Sequence, residues 1–428
     1  EDIPVPEIGP GDALMKTRAS GICSGDVMAW YIEKKAPLVL GHEPSGEIVN
    51  VGSNVKLFKP GDRVFTHHHA PCMTCKYCRR GDHVQCETWK NTKIIPGGIS
   101  EYILIPETNL KNDTLRLPDN VSFEDGTLVE PLACVLKGIK RAGIRFKNYF
   151  IEGTPHPNPL PQGERGQRGS NSSQDDRELL DSFSPQGERR VINPTPPSLK
   201  LRGGKEGLSP TLDGNPPPHF PSLDGRGVGE GDVSFYDRTV LVIGLGFMGQ
   251  LNILISKRFG ASRVIGVDRV PYRLKKAKEF GADEVIDVSE EGLVDSLRRL
   301  TDGDMADLVI VGPNSAEAMK EGISSVSSGG TVLFFTPAKP DEKLIIDPNY
   351  LYFRDINIVT SYSCGPSETK EALKLIEEGV IKAEKLVTHR FPIEKTAEAF
   401  RLVSGAKESL KVVITFDPNN ADIAQKFI

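Results

Sequence analysis

The chain has 428 residues, a formal net charge of −5 and seven cysteines. That length allows two or three domains with sizeable cores, so folding does not depend on disulfides. The acidic, mixed charge argues against nucleic acid or an anionic membrane as partner, and no run of about 18 apolar residues suggests a membrane span.

The N-terminal stretch EDIPVPEIGPGDALMKT lacks the basic start and apolar run of a signal peptide. It opens on Glu1 rather than Met, so an earlier start is expected. The expectation is a soluble, reduced, cytoplasmic protein.

Residues 1–148 read as mostly β. Short strands such as GEIVNVG, DRVFTH and SEYILIP lie between Gly, Pro and Asn turns. One helix is expected over 129–143, VEPLACVLKGIKRAG, with apolar residues at helical spacing. Within the same region GICSGD offers Cys23, and LGHEPSGEIVNVG offers His42 and Glu43. Thiolate, imidazole and carboxylate are competent zinc ligands, and three of them plus water make an open, catalytic site. From spacing alone the simpler structural reading of each is preferred: a buried small thiol, a core or turn histidine, an exposed glutamate.

Four cysteines fall in APCMTCKYCRRGDHVQCE, as Cys72, Cys75, Cys78 and Cys86, spaced C-x2-C-x2-C-x7-C. Four thiolates around zinc close the tetrahedron and leave no position for water or substrate, so this group reads as a structural clamp. A redox pair needs an exposed low-pKa thiol in a thioredoxin-like setting. A nucleic-acid module needs a basic, base-reading element beside it. Neither context is present.

Residues 153–232 hold 13 Pro and 13 Gly, with PQGER at 161–165 and 185–189 and the echo PTLDG/PSLDG at 210–214 and 221–225. So few apolar residues cannot offset chain entropy, and a disordered insertion between two domains is expected. A partner-binding linker is the alternative. Deleting the segment is expected to leave a folded, NAD-binding protein.

Residues 236–360 change rhythm. Strands over 239–244, 263–268, 284–288, 307–312, 330–335 and 356–361 alternate with helices, as in a doubly wound parallel sheet. Two helices, 367–379 and 394–405, and a last strand, KVVITF, follow. Gly244, Gly246 and Gly249 form G-x-G-x-x-G after the first strand, with Phe247 and Met248 opening the helix. The helix N-terminus presents free N–H groups to a pyrophosphate. Asp268 ends the second strand, where it would accept hydrogen bonds from a ribose and repel a 2′-phosphate, which favours NAD over NADP. Arg269 and Arg273 are further candidate cofactor contacts, and an arginine at 269 can also meet a phosphate.

Taken in order, GICSGD, GHEPSGEIVNVGSNVKLFKPGDRV, the four-cysteine run, EPLACVLKGIKRAG and VIGLGFMG resemble the zinc-dependent medium-chain alcohol dehydrogenases. The resemblance covers the chain except 153–232, and EPLA is similar to the polyol (sorbitol) and threonine dehydrogenase branch. It implies a GroES-like, mostly-β catalytic domain from 1–148 and 363–428, a Rossmann domain over 236–362, and an insertion at 149–235.

The resemblance also implies two zinc ions per chain, one structural and one catalytic. Cys23 and His42 would hold the catalytic ion. Glu43 and Glu130 would share its remaining protein position, one directly and one behind a water. Cys134, one turn from Glu130, reads as a packed core thiol. His69 matches a substrate-pocket histidine of the threonine dehydrogenase branch. His67 and His68 read as solvent-exposed, with strand alternation aiming His67 and His69 to one face.

Relatives carry a proton-relay hydroxyl two residues after the ligand cysteine. Here CSGD puts Gly25 there and Ser24 one residue earlier, so Ser24 from a shifted backbone, a water or a histidine would relay the proton. The implied reaction is reversible oxidation of a secondary alcohol to a ketone, with zinc as Lewis acid and NAD as hydride acceptor. Alternatives are an L-threonine 3-dehydrogenase and a catalytically silent NAD-binding protein that keeps only the structural zinc. The expected partners are a small-molecule alcohol and further copies of the chain, as homodimer or homotetramer.

Overall fold

The structure, a computed structural model, describes residues 3–144 and 237–416. The expected insertion at 149–235 lies outside the described residues.

In chain order the strands are β1 (Ala13–Ile22), β2 (Glu43–Val51), β3 (Arg63–Thr66), β4 (Tyr102–Ile105), β5 (Thr114–Arg116), β6 (Thr239–Ile243), β7 (Arg263–Asp268), β8 (Glu284–Asp287), β9 (Ala306–Val311), β10 (Val326–Phe334), β11 (Asn357–Thr360), β12 (Val387–Pro392) and β13 (Lys411–Thr415). They make two sheets. The first runs β12-β13-β1-β2-β3-β5, with β4 also paired to β1. Burial alternates along the first half of β1 and is continuous along the second, where the strand enters the interior. There β1 is flanked by β2 and β13: Gly21 pairs with Glu43 on one side and Val413 on the other. A side chain at position 21 would collide with Glu43 Oε2 and Lys411 Cε, so the glycine opens the gap in which those two groups meet.

The second sheet is wholly parallel, in the order β11-β10-β9-β6-β7-β8. Read from β8, this is the 3-2-1-4-5-6 order of dinucleotide-binding sheets, with its switch point between β6 and β9. The nearly unbroken burial of β7 and β9 fits strands covered on both faces.

Helix α1 (Val129–Arg141) is the wall common to both halves. Pro131 sits in its first turn, where a missing N–H costs no helical hydrogen bond. Its buried face packs on α2 (Phe247–Arg258), which follows β6, and on α4 (Pro366–Glu377). Leu132, Leu136 and Ile139 join one apolar cluster with Val240, Leu308 and Ile376. The helices expected at 129–143, 367–379 and 394–405 occur at Val129–Arg141, Pro366–Glu377 and Thr396–Gly405. Strands β1 and β12 were not singled out by the sequence pattern. Among the described residues no helix is long and apolar enough to cross a membrane.

Candidate active site

The four-cysteine run closes on itself. Sγ separations are 3.9 Å for Cys72–Cys78, 3.5 Å for Cys75–Cys78 and 3.6 Å for Cys72–Cys86. A zinc tetrathiolate with Zn–S near 2.3 Å has edges of about 3.8 Å, so the group fits that ion. The Thr74 hydroxyl and nearby backbone N–H groups hold the Cys72 thiol down at about 5, although burial opposes this. Trp89, buried, packs with these cysteines.

A second group forms around a short turn, Ser24–Val27. The Cys23 side chain accepts from Gly25 N at 3.4 Å, and Asp26 Oδ2 accepts from Cys23 N at 3.3 Å. Asp26 Oδ1 lies 3.2 Å from His42 Nδ1, and the ring also hydrogen-bonds the Cys23 side chain. A carboxylate behind a histidine in this way fixes its tautomer and orientation as a ligand. Burial disfavours charge on His42, but Asp26 overrides it and raises the imidazole well above its ordinary value. Burial likewise pushes Asp26 up, and His42 brings it back below the usual aspartate range.

The ligand atoms of Cys23, His42 and Glu43 lie within 4.8 Å of one another. Glu43 is fully buried, and burial raises its carboxyl against the pull of Lys411 and His42. Lys411 Nζ bonds to Oε2, whereas Oε1 is buried without a hydrogen-bond partner. A carboxylate oxygen without a hydrogen-bond partner, beside a thiol and an imidazole, fits a cation ligand set. Ser24 is exposed on the turn.

Glu130 is not drawn into this group. Its carboxylate meets His67 and Cys364 in a third set, also within 4.8 Å. Cys134 is not merely packed: its Sγ donates to Glu130 Oε1 at 3.2 Å.

The reading of His67 and His68 as solvent-exposed is corrected. His67 is fully buried and bonds Asp113 Oδ2 at 2.7 Å through Nδ1. His68 is half-buried, its ring tilted at 47° to that of His42 with centroids 5.1 Å apart. His69 donates from Nδ1 to the Thr92 carbonyl at 2.5 Å. Strand alternation does not govern these residues, because β3 ends at Thr66 and each histidine meets a different neighbour. His69, Trp89 and Tyr362 form an aromatic row, with ring separations of 4.3 Å and 5.8 Å, next to His68. Burial depresses His69 to about 4 and His68 well below its ordinary value, so both are neutral near pH 7.

The nucleotide loop follows β6. Gly244 has φ of +85°, a left-handed conformation that favours glycine. A Cβ at Gly249 would collide with the Gly244 carbonyl, so close approach of α2 to the loop also requires glycine. Around Gly246 the space is open: a Cβ there would find only Arg273 Cζ, at 4.0 Å. Phe247 and Met248 begin α2, and Gly246 supplies no side-chain cap, so the N–H groups of that first turn remain for a ligand. This cradle fits a pyrophosphate.

Asp268 accepts from the backbone N–H of Leu245 at 2.7 Å, Arg269 at 2.8 Å and Val270 at 3.0 Å. It therefore braces the loop. Arg273 NH1 lies 3.6 Å from it, with Nε buried and unpartnered, and Arg269 is exposed.

Asp26, Asp113, Cys364 and Lys411 were missed by the sequence reading. Asp26 carried a signal, a capping acid three residues after Cys23. The other three are joined to the site only by long-range folding.

A Rossmann sheet with a glycine loop, beside a β-sheet bearing a thiol–imidazole–carboxylate group, defines a metal-assisted, dinucleotide-linked dehydrogenase. Residues 9–119 match the alcohol dehydrogenase GroES-like domain, and residues 248–378 match the zinc-binding dehydrogenase domain. The chain is 27% identical over 431 residues to sorbitol dehydrogenase of Ovis aries, covering 98% of this chain and 94% of that protein. It is 26% identical to L-threonine 3-dehydrogenase of Rhizobium etli (strain CIAT 652), covering 97% and 94%. Its fold is similar to that of 2R,3R-butanediol dehydrogenase from Bacillus subtilis, with a TM-score of 0.67 at 20% identity over 97% and 96% of the two chains. The chain belongs to the zinc-dependent medium-chain alcohol dehydrogenase family, in its polyol/threonine dehydrogenase branch, and is an oxidoreductase.

Proposed function

We propose that the protein catalyses reversible, NAD-linked oxidation of a secondary alcohol of the polyol, diol or sugar-alcohol class to a ketone. The observation that carries this reading is the convergence of Cys23, His42 and Glu43 beneath the His68–His69–Trp89–Tyr362 wall. These three residues would hold a catalytic zinc, and Cys72, Cys75, Cys78 and Cys86 a structural one, giving two from the family pattern. Bound there, zinc supplies Lewis-acid polarisation of the substrate hydroxyl, and bound NAD supplies the hydride acceptor. Asp26 orients His42, and Lys411 holds Glu43. Glu130, on α1, is the second carboxylate of the region.

With Gly25 in place of a hydroxyl residue, proton transfer falls to Ser24, to water or to the neighbouring histidines. Asp268 at the end of β7 supports NAD over NADP. Residues 1–148 and 363–428 form the catalytic domain and 236–362 the cofactor domain; the joining of β12 and β13 to β1 supports that division.

L-Threonine is the second substrate reading, favoured by His69, whose Nδ1 is taken by Thr92 and whose ring forms part of the wall. A homodimer or homotetramer is supported by the outer edge of β11, unpaired among the described residues, and by Tyr352 and Phe353, 75% and 76% exposed close to it. All seven cysteines are free, which supports a reducing, cytoplasmic location.

The test is purified protein with NAD, assayed against polyols, diols, sugar alcohols and L-threonine by formation of reduced cofactor. Turnover with a polyol or diol is expected. Absence of turnover with every one, despite a zinc-loaded outer site, rejects both substrate readings. Zinc confined to the four cysteines supports the silent alternative.

A further inference from the structure

We infer that His67, Glu130 and Cys364, with Cys134 as the fourth group in reach, form an additional buried zinc site, separate from the four-cysteine clamp and from Cys23–His42–Glu43.

The ligands come from three chain segments. His67 follows β3, Glu130 and Cys134 lie one turn apart on α1, and Cys364 lies between β11 and α4. Their burial is nearly complete: His67 and Cys364 are 0% exposed and Glu130 is 6% exposed. The imidazole is already set for coordination. Asp113 Oδ2 takes Nδ1–H at 2.7 Å, and Asp113 is itself fixed by the Thr369 hydroxyl on Oδ1 at 2.6 Å. That leaves Nε2 facing Cys364 Sγ at 3.8 Å. A tetrahedral ion with Zn–S near 2.3 Å and Zn–N near 2.0 Å separates those atoms by about 3.5 Å, so little movement is needed. The carboxylate–histidine pair behind the ligand is the usual orienting device of metal sites.

Charge points the same way. Two carboxylates, Asp113 and Glu130, converge on one imidazole in a dry interior, where uncompensated anions are costly. Thiolate, imidazole and carboxylate together suit zinc or a similarly soft divalent ion rather than magnesium or calcium. Such an ion would tie the end of β3 to α1 and to the segment returning from the parallel sheet. The inference does not depend on which alcohol the outer site oxidises, and its test does not require turnover.

The experiment is metal analysis of the intact protein, expressed with zinc and dialysed exhaustively. About three zinc ions per chain are expected for the wild type and about two for Cys364→Ser. Two in both proteins overturns the proposal. If Cys364→Ser does not fold, cadmium-113 spectra of the cadmium-exchanged wild type decide. A third resonance, shielded relative to the tetrathiolate and persisting in Cys23→Ser, supports the site. Only two resonances in the wild type rejects it.

Discussion

Lys411 and Glu43 are 368 residues apart in sequence and form a buried ion pair across β1, each side chain 1% exposed. Lys411 also donates to the Ile22 carbonyl at 3.2 Å, so its ammonium is fixed on two sides. Removing one partner of such a pair leaves an unpaired buried charge, which costs more than the pair itself contributes. Lys411→Ala is expected to lower unfolding free energy by about 3–5 kcal/mol. Urea denaturation of the metal-loaded protein checks this. The double replacement Glu43→Gln with Lys411→Met should recover much of the loss, and a single Lys411→Ala within experimental error of wild type contradicts the assignment.

Asp26→Asn keeps the size of the side chain behind His42 but removes its charge. Loss of such an orienting carboxylate lowers metal affinity or activity roughly 10- to 100-fold. Faster loss of zinc to a chelator, with the four-cysteine zinc retained, is the expected observation. Equal rates for variant and wild type would show that Asp26 does not support the outer site.

Acid sensitivity follows from His69. Burial holds it at about 4, below its ordinary value of 6.5. In the unfolded chain it takes up a proton as pH falls through 6.5, whereas the folded protein resists until about 4. The unfolded state therefore binds more protons in that window, and stability falls as pH is lowered across it. His68, also depressed by burial, adds in the same direction. Urea midpoints from pH 7.5 down to 4.5 should fall for the wild type and fall less steeply for His69→Gln; parallel slopes would reject this cause.

Asp268 braces the glycine loop through three backbone N–H groups, and the proposed function gives it a second task at the ribose. Asp268→Asn keeps an acceptor oxygen for the backbone but loses the charge. KM for NAD is expected to rise about tenfold or more, equivalent to roughly 1.4 kcal/mol, while discrimination against NADP narrows. Steady-state kinetics with both cofactors measure this. An unchanged NAD/NADP ratio would move the selectivity to Arg269 or Arg273.

Among the described residues no strand pairs with the outer edge of β11, and an exposed strand edge is a template for pairing. If the chain assembles through this edge as proposed, Phe353→Glu combined with Tyr352→Lys is expected to shift it toward monomer. Sedimentation velocity reads the change, and an assembly of unaltered mass would exclude this face.

Local signals made much of this legible in advance. The parallel strands were visible because strands buried on both faces are apolar without interruption, as in TVLVIG and DLVIVG. The four cysteines and the glycine loop were visible because their ligands are close in sequence. Cys23, His42 and Glu43 were individually ambiguous and became a group only through the order of neighbouring motifs. His67 was misread because a run of three histidines resembles a solvated patch. What buries it is Asp113 and Cys364, and Cys364 lies 297 residues away. Nothing in the spacing of the chain announces such a pairing, and the same holds for Lys411.

The position of β13 bears on synthesis. A ribosome delivers Cys23, His42 and Glu43 early, yet the lysine that pairs with Glu43 follows 368 residues later. Until then the nascent sheet lacks a central strand between β12 and β1, and Glu43 has no buried counter-charge. Domains tend to fold in the order in which they are made. This one must wait for its last strand, so an interrupted translation product ending before Lys411 would carry the metal-binding side chains without the means to hold them in place.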